Sequence, residues 1–403
     1  MSEPHGVVIV GAGLAGLRAA EAIRGNGYDG RILLVGDEQH PPYDRPPLSK
    51  QILTGDWDVA RTALTSPERL ADDRIELRLG HRVVGATPHN VVLDDGRRVG
   101  YDHLVVATGV AARTWPGAAV GGRVHRVRTL EDSLRLHAAL GDAESGAAAD
   151  LIIVGGGFVG LEVAAAARSR GCRVSVVELA DAPLAAVLGV EVGRYFTRLH
   201  EAEGVQIRTG MAITAIEEQP HRVVVRLADG SELQAAQVVV GIGAEPSTSW
   251  LAGLGIDGRG GLHCDRHGRV LGLAAGNVWA LGDVAAWDDT VHGDAPRHEH
   301  WTSAGNQAAV LGAALVGRAP DMTPVAPYFW STQYDVNFQL AGRVDLATSV
   351  RVLEPGADGA DRGTVFGFQR DGELVAVATF HNPRRFLRLR RDLQEHQAAA
   401  LTV

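Results

Sequence analysis

Two glycine patterns in this 403-residue chain have the spacing to hold a phosphorylated ligand. Gly11-Ala12-Gly13-Leu14-Ala15-Gly16 follows the apolar run Val7 to Val10, and Gly155-Gly156-Gly157-Phe158-Val159-Gly160 follows Leu151 to Val154. In such a turn the first glycine permits a tight bend, and the second lets backbone N–H groups approach a pyrophosphate. The third lets helix and strand pack closely, leaving the phosphates at a helix N-terminus. A carboxylate at the end of the next strand accepts both hydroxyls of an adenosine ribose and repels a 2'-phosphate. Asp37 and Glu38 stand there in the first pattern, beginning 26 residues after Gly11. Glu178 stands there in the second, 23 residues after Gly155, and Leu179, Ala180 and Asp181 after it offer no arginine for a 2'-phosphate. Two such units predict two dinucleotides, the second of the NADH type.

Lys50 is the second chemical signal. It is the only lysine, so 38 of the 39 basic residues are arginine. A compact ammonium on a thin stem fits where a planar guanidinium cannot, which singles out position 50; the plainer alternative is one surface lysine left by chance. Glu162, near the start of the second helical run, needs a partner if it is buried, because an unpaired buried charge is costly. Lys50 is the expected partner. A simpler reading leaves Glu162 as a carboxylate favoured by the helix dipole.

These residues must be positioned by strand–turn–helix units. The first unit continues through an alanine-rich helix to Ile23 and a strand from Ile32 to Val35; the second runs through a helix from Leu161 to Arg168 and a strand from Arg173 to Val177. Short strands follow each one. His81 to Val84, Val91 to Leu93 and His103 to Ala107, ending in Thr108-Gly109, are echoed by Arg222 to Leu227 and Gln237 to Val240, ending in Gly241-Ile242-Gly243. The repeat is therefore a whole domain. A strand from Val278 to Leu281 reaches Gly282-Asp283, and a helix spans Thr302 to Leu315. Beyond Pro324 and Pro327 the pattern alternates through Asp335 to Ala341, Thr364 to Gln369 and Leu374 to Thr379, then enters a basic helix from Arg384.

Composition excludes several classes. A net charge of -9 argues against a broad footprint for nucleic acid or an acidic membrane, and no run of about 18 uncharged apolar residues occurs. The apolar strand begins without a basic leader or cleavage site, so no signal peptide is expected. Two cysteines, Cys172 opening a strand and Cys264 in an expected surface loop, cannot build a disulfide framework or a structural zinc site. A reducing cytoplasm is the expected compartment.

Taken together, the first glycine pattern, Pro41-Pro42-Tyr43-Asp44-Arg45-Pro46-Pro47-Leu48-Ser49-Lys50, Ala107-Thr108-Gly109, the second pattern with Glu162, Gly282-Asp283 and Tyr328-Phe329-Trp330-Ser331 form a set over essentially the whole chain. This set resembles the FAD-dependent, NADH-dependent ferredoxin reductases that serve bacterial oxygenases. The resemblance implies an α/β fold with two Rossmann-like dinucleotide-binding domains of the glutathione-reductase-like kind and a small α+β C-terminal domain. An FAD-binding domain would comprise 1–112 and 245–325, an NAD-binding domain 113–244 and a C-terminal domain 326–403.

It implies that non-covalent FAD lies on Gly11, Gly13, Leu14, Ala15 and Gly16, with Asp37 or Glu38 at the adenosine ribose and Val83 at the adenine. Ala107, Thr108 and Gly109 would flank the cofactor, and Arg45, Lys50 and Arg128 would meet other parts of it. Asp283 would hold the ribityl chain, and Trp301 would lie by the pyrimidine edge. NADH would lie on Gly155, Gly157, Phe158, Val159, Gly160 and Gly243, with Glu178 at its ribose. The catalytic set would be Lys50 near flavin N5, Glu162 at the nicotinamide amide and Trp330 as a gate over the flavin.

The implied acceptor is a [2Fe-2S] ferredoxin feeding a Rieske oxygenase or a cytochrome P450, with Arg384, Arg385, Arg388, Arg390 and Arg391 as an expected docking cluster for an acidic partner. Alternative readings are a rubredoxin reductase, an NADH oxidase without cysteine, or a non-catalytic NADH-binding flavoprotein laid out like apoptosis-inducing factor. Relatives in the disulfide-reductase branch carry cysteine where Pro46 to Gln51 has none, so the flavin would pass electrons directly. Thr332 and Ala186 depart from the family's usual aspartate and arginine. No metal is expected at Asp294, His298, Glu299 and His300.

Overall fold

Short, wholly apolar strands place two parallel sheets, because a strand covered on both faces has no polar side to show. The structure is a computed structural model that describes residues 5–141, 148–323, 325–357 and 361–400, the last five through their backbone alone. Val7–Val10 lies between Ile32–Val35 and His103–Val106, and Ile75–Arg78 and Val278–Ala280 extend the sheet outward, all in parallel. Asp150–Val154 lies likewise between Arg173–Val177 and Gln237–Val240, with Gln206–Arg208 and Val124–His125 outermost. Four strands follow the same order in both sheets; the fifth, Val278–Ala280, comes last in the chain of the first sheet, but its counterpart Val124–His125 comes first in that of the second. Each sheet also carries a three-stranded antiparallel annex, Val83–Ala86 to Arg98–Gly100 in one and Ile213–Gln219 to Glu232–Ala235 in the other. Val110–Ala112 pairs with Ala244–Pro246 where the chain leaves the first unit and returns to it.

The third unit is an antiparallel sheet of Tyr328–Gln333, Val336–Gly342, Glu373–Phe380, Val365–Arg370 and Ser349–Glu354. One face buries Phe338, Phe366, Phe368 and Phe380 against Leu161, Leu188, Val192 and Phe196 of the second unit. On the other, Ala341, Val365 and Val377 meet Phe386, Leu389 and Leu393 of the helix Pro383–Ala400. Arg343, only 2% exposed, donates to Asp289, Asp294 and Asp345, tying the segment before the helix Trp301–Leu315 to this sheet. The chain is thus two Rossmann-like units and a small α+β C-terminal unit. Among the described residues, no helix is long and apolar enough to cross a membrane.

Three expectations are corrected. The second helix opens at Phe158 rather than Leu161, with Gly157 at its N-cap and Gly160 inside its first turn. The strand expected at His81 to Val84 forms at Val83–Ala86, because the N–H groups of Gly80 and His81 are still bonded to the Glu38 and Gly36 carbonyls just past the strand Ile32–Val35. Cys264 is fully buried in Leu262–Cys264, a strand paired with Ala285–Trp287, and not in a surface loop.

The close crossing at Gly160 is testable. A Cβ there would sit 2.4 Å from the Gly155 carbonyl oxygen, whereas one at Gly157 would meet nothing within 4 Å. Gly160→Ala is expected to lower unfolding stability by about 1–3 kcal/mol in urea titration. Gly157→Ala should stay within about 0.5 kcal/mol of the parent.

Candidate functional site

The parallel strands of the first unit end at a cleft of about 1390 Å³ that also reaches the second unit and the C-terminal sheet. That exceeds the roughly 300–1,000 Å³ of a site for one drug-sized ligand. Gly11, Gly13, Leu14 and Ala15 line it, as do Asp37, Glu38 and Val83. So do Arg45, Lys50, Ala107, Thr108, Gly109, Arg128 and Asp283, together with Trp301 and Trp330.

The glycines divide their work as the spacing predicts. Gly11 has φ +113 and a Cβ on it would lie 2.2 Å from the Ala107 carbonyl oxygen; on Gly16 it would lie 2.0 Å from that of Gly11. Around Gly13 nothing stands within 4 Å. That open cradle at a helix N-terminus is the shape a pyrophosphate requires. Two buried cleft atoms, His300 Nδ1 and Arg126 Nε, have no hydrogen-bond partner, although Asp132 stands 3.5 Å from Arg126 Nε; a ligand in the cleft can satisfy such groups. Burial pushes the His300 imidazole down to about 4, so it is neutral at neutral pH. The residues present fit a bound dinucleotide.

Charges around the cleft are arranged in pairs. Arg45 donates to Glu38 and to the Arg128 carbonyl, both at 2.6 Å, and its guanidinium stays above its ordinary value because Tyr43 and Glu38 outweigh burial. Burial and the neighbouring Arg45 push Arg128 the other way. Arg128 stands 3.5 Å from Asp283, whose carboxyl burial raises despite that cation. Glu38 is therefore committed, while Asp37 is half exposed with Arg82 at 3.4 Å.

Lys50 Nζ lies 2.6 Å from Glu162 Oε2 and 3.0 Å from the Pro46 carbonyl oxygen. Glu162, 6% exposed, is the fifth residue of its helix and sits in the second turn, not next to the opening. There the dipole has largely faded, so the ammonium and not the helix end balances its charge. Two hydroxyls complete the shell, Ser49 on Oε2 at 2.5 Å and Ser331 on Oε1 at 2.6 Å. Sequence reasoning gave these serines no role, although each adjoins a residue it singled out. Trp301 donates its indole N–H to Asp44 at 2.7 Å and packs edge-on against Trp330, which in turn stacks on Tyr328.

The second glycine pattern lies mostly apart from this cleft, which meets the pattern and its helix at Phe158, Val159 and Glu162. Gly155, Gly157, Gly160, Glu178 and Gly243 are outside its lining, as is Gly16. Gly155 and Gly160 repeat the close approaches of Gly11 and Gly16, and Gly157 repeats the open position of Gly13. Glu178 accepts the N–H groups of Gly156 at 2.6 Å and Ala180 at 2.8 Å. No cysteine lines the cleft, since Cys172 and Cys264 are buried elsewhere and burial raises both thiols. Among the described residues, no group of three His, Cys, Asp or Glu could hold a metal.

Residues 5–308 match the family profile of pyridine nucleotide-disulphide oxidoreductases. The chain belongs to that family. Residues 328–402 match a reductase C-terminal profile. The ferredoxin–NAD(+) reductase component of the p-cumate 2,3-dioxygenase system of Pseudomonas putida is 37% identical, over 98% of this chain and 96% of that one. Rhodocoxin reductase of Rhodococcus erythropolis is 38% identical, over 96% and 89%. A crystal structure of a covalent putidaredoxin reductase–putidaredoxin complex superposes with a TM-score of 0.90 at 30% identity, over 98% and 94%. FAD and NADH are accordingly the cofactors of this member of the family.

Gly13→Ala should fold as stably as the parent, because nothing crowds the new methyl group. It should retain FAD about tenfold less tightly, read from the visible flavin absorbance left after dilution and filtration.

Proposed function

We propose that this chain is an NADH-dependent flavoprotein reductase that passes electrons from NADH through FAD to a [2Fe-2S] ferredoxin, which supplies a Rieske oxygenase or a cytochrome P450 in the cytoplasm. The observation that carries this reading is the Lys50–Glu162 pair, set in the FAD cleft where the helix Phe158–Ser169 of the second unit reaches it. When bound, FAD supplies the means of taking a hydride from NADH and returning two electrons singly. The chain supplies position and charge. Lys50 places an ammonium beside the reacting ring, where it favours negative charge as it develops. Glu162, held from both oxygens, meets the nicotinamide amide and orients it.

Asp37 takes the FAD adenosine ribose, since Glu38 is occupied by Arg45 and Tyr43. Asp283 with Arg128 meets the ribityl chain, and Trp330, backed by Trp301 and Tyr328, covers the ring. Glu178 takes the NADH ribose and disfavours a 2'-phosphate. With no cysteine in the cleft, electrons leave the flavin directly.

The arginine cluster divides in two. Arg385 is paired with Glu354, and Arg390 lies over the Tyr328 ring. Arg384, Arg388 and Arg391 are exposed around Leu387, which is 63% exposed. This basic stripe on the helix that backs Tyr328 suits an acidic ferredoxin.

Anaerobic titration with NADH should bleach the flavin, and an oxidised [2Fe-2S] ferredoxin should restore its colour; NADPH should be the poorer donor. A flavin that NADH reduces sluggishly, or that ferredoxin leaves reduced, points to an oxidase or to a non-catalytic role. Lys50→Met should slow flavin reduction by about tenfold or more, since it strands a buried carboxylate. An unchanged rate refutes the pair's role. The ferredoxin-dependent rate should fall as salt rises, and fall in Arg388→Glu, while NADH reduction of the flavin stays as in the parent.

A further inference from the structure

Behind Glu162, the seam between the second unit and the C-terminal sheet is packed with phenylalanine and aliphatic side chains. One buried polar path crosses it. Ser331 Oγ is 2.6 Å from Glu162 Oε1, and Gln333 Nε2 is 3.1 Å from Ser331 Oγ. Gln333 Oε1 is 2.8 Å from His200 Nε2, and the Tyr334 hydroxyl is 3.0 Å from His200 Nδ1. Ser331 and His200 are fully buried and Gln333 is 2% exposed. Ser331 and Gln333 alternate onto one face of their strand, and His200 comes from the helix Val190–Ala202 opposite.

The direction of every bond in this path is forced from one end. An ionised carboxylate only accepts, so the Ser331 proton is committed to Glu162. Ser331 must then accept from Gln333, which turns the amide nitrogen toward it and the amide oxygen toward His200. The oxygen needs a donor, so His200 carries its proton on Nε2. Burial pushes His200 down to about 4, leaving the ring neutral with a lone pair on Nδ1, which takes the Tyr334 proton. Tyr334 reaches His200 from a left-handed backbone conformation, φ +55, a geometry a tyrosine adopts only when its surroundings hold it there.

We propose that Tyr334, His200, Gln333 and Ser331 form a one-way hydrogen-bond chain in which all four donors run toward Glu162, and that Gln333 and His200 are positioning residues. They fix the Ser331 hydroxyl, and through it the Glu162 carboxylate, in the orientation that receives the nicotinamide dinucleotide. The proposal rests on the reading of Glu162 as the group that meets the nicotinamide amide. The hydrogen-bond chain ties the NADH-facing carboxylate to the C-terminal sheet, so the fit of that sheet on the second unit is felt at the site.

The test uses the holoenzyme labelled with ring-¹⁵N histidine, with the His200 signal identified by its loss in His200→Gln. The ring should be neutral with its proton on Nε2 at neutral pH. A proton on Nδ1, or a cationic ring, overturns the chain. Isothermal titration with NAD⁺ then reads the site without turnover. Gln333→Met removes both amide bonds at nearly constant volume and should weaken NAD⁺ binding by about tenfold, the worth of one pinned hydrogen bond. Gln333→Glu can only accept, draws the Ser331 proton away from Glu162, and should weaken it further.

His200→Gln still donates to Gln333 and should bind NAD⁺ like the parent, whereas His200→Leu should not. That pair keeps the proposal falsifiable should the Gln333 variants fail to fold. Parental binding in both Gln333→Met and His200→Leu, with weakened binding in Glu162→Gln, overturns the positioning role and leaves the reading of Glu162 standing. Parental binding in Glu162→Gln overturns that reading and the proposal with it.

Discussion

A buried carboxylate must be compensated, and the compensation of Glu162 is the constraint around which the three units meet. Its ammonium partner, Lys50, and one hydroxyl partner, Ser49, come from the segment that follows the strand Ile32–Val35 within the first Rossmann unit; the carboxylate comes from the helix of the second, and the other hydroxyl, Ser331, from the first strand of the C-terminal sheet. Removing one member of such a group strands the rest, at a typical cost of about 3–5 kcal/mol for a buried pair. Full compensation of the carboxylate, one cation and two hydroxyl donors, therefore requires all three units to be docked. Only then is the cleft lined on every side.

Much of this was legible in the chain. The parallel strands are short apolar runs bounded by glycine turns, so their limits are marked chemically, and a repeat doubles the signal. Lys50 stands out because a composition bias has erased its competitors, and Glu162 because a carboxylate near a helix start needs a partner if it is buried, and the family resemblance puts it at the nicotinamide. What could not be read depends on tertiary contact. Gly160 looks like loop in sequence and is helical because its missing side chain lets the helix cross the strand end. Cys264 sits among polar and glycine residues that suggest a surface, yet a parallel partner strand covers it. Ser49, Ser331, Gln333 and His200 are ordinary residue types whose meaning lies only in what they face.

The two Rossmann units are the same solution used with different openness. In the first, the glycine turn opens on the large cleft and the acidic strand end is divided between an engaged Glu38 and an available Asp37. In the second, Glu178 is folded back onto the backbone of its own glycine loop. A ligand there competes with backbone N–H groups for the carboxylate, whereas the acids of the first site are bonded to side chains. That asymmetry suits one dinucleotide that stays and another that comes and goes, because the bonds released on departure are remade at once within the protein.

The Arg343 clamp bears on modularity. Its guanidinium and Asp345 belong to the C-terminal sheet, but Asp289 and Asp294 lie some fifty residues earlier, beyond the helix Trp301–Leu315. The C-terminal unit resembles an exchangeable cassette, yet its buried cation is neutralised largely from outside it. A chimaera joined near residue 326 inherits an arginine without its counter-charges unless the recipient carries acids at the positions of Asp289 and Asp294. Grafting between relatives thus has a natural unit larger than the sheet itself, one that begins before residue 289.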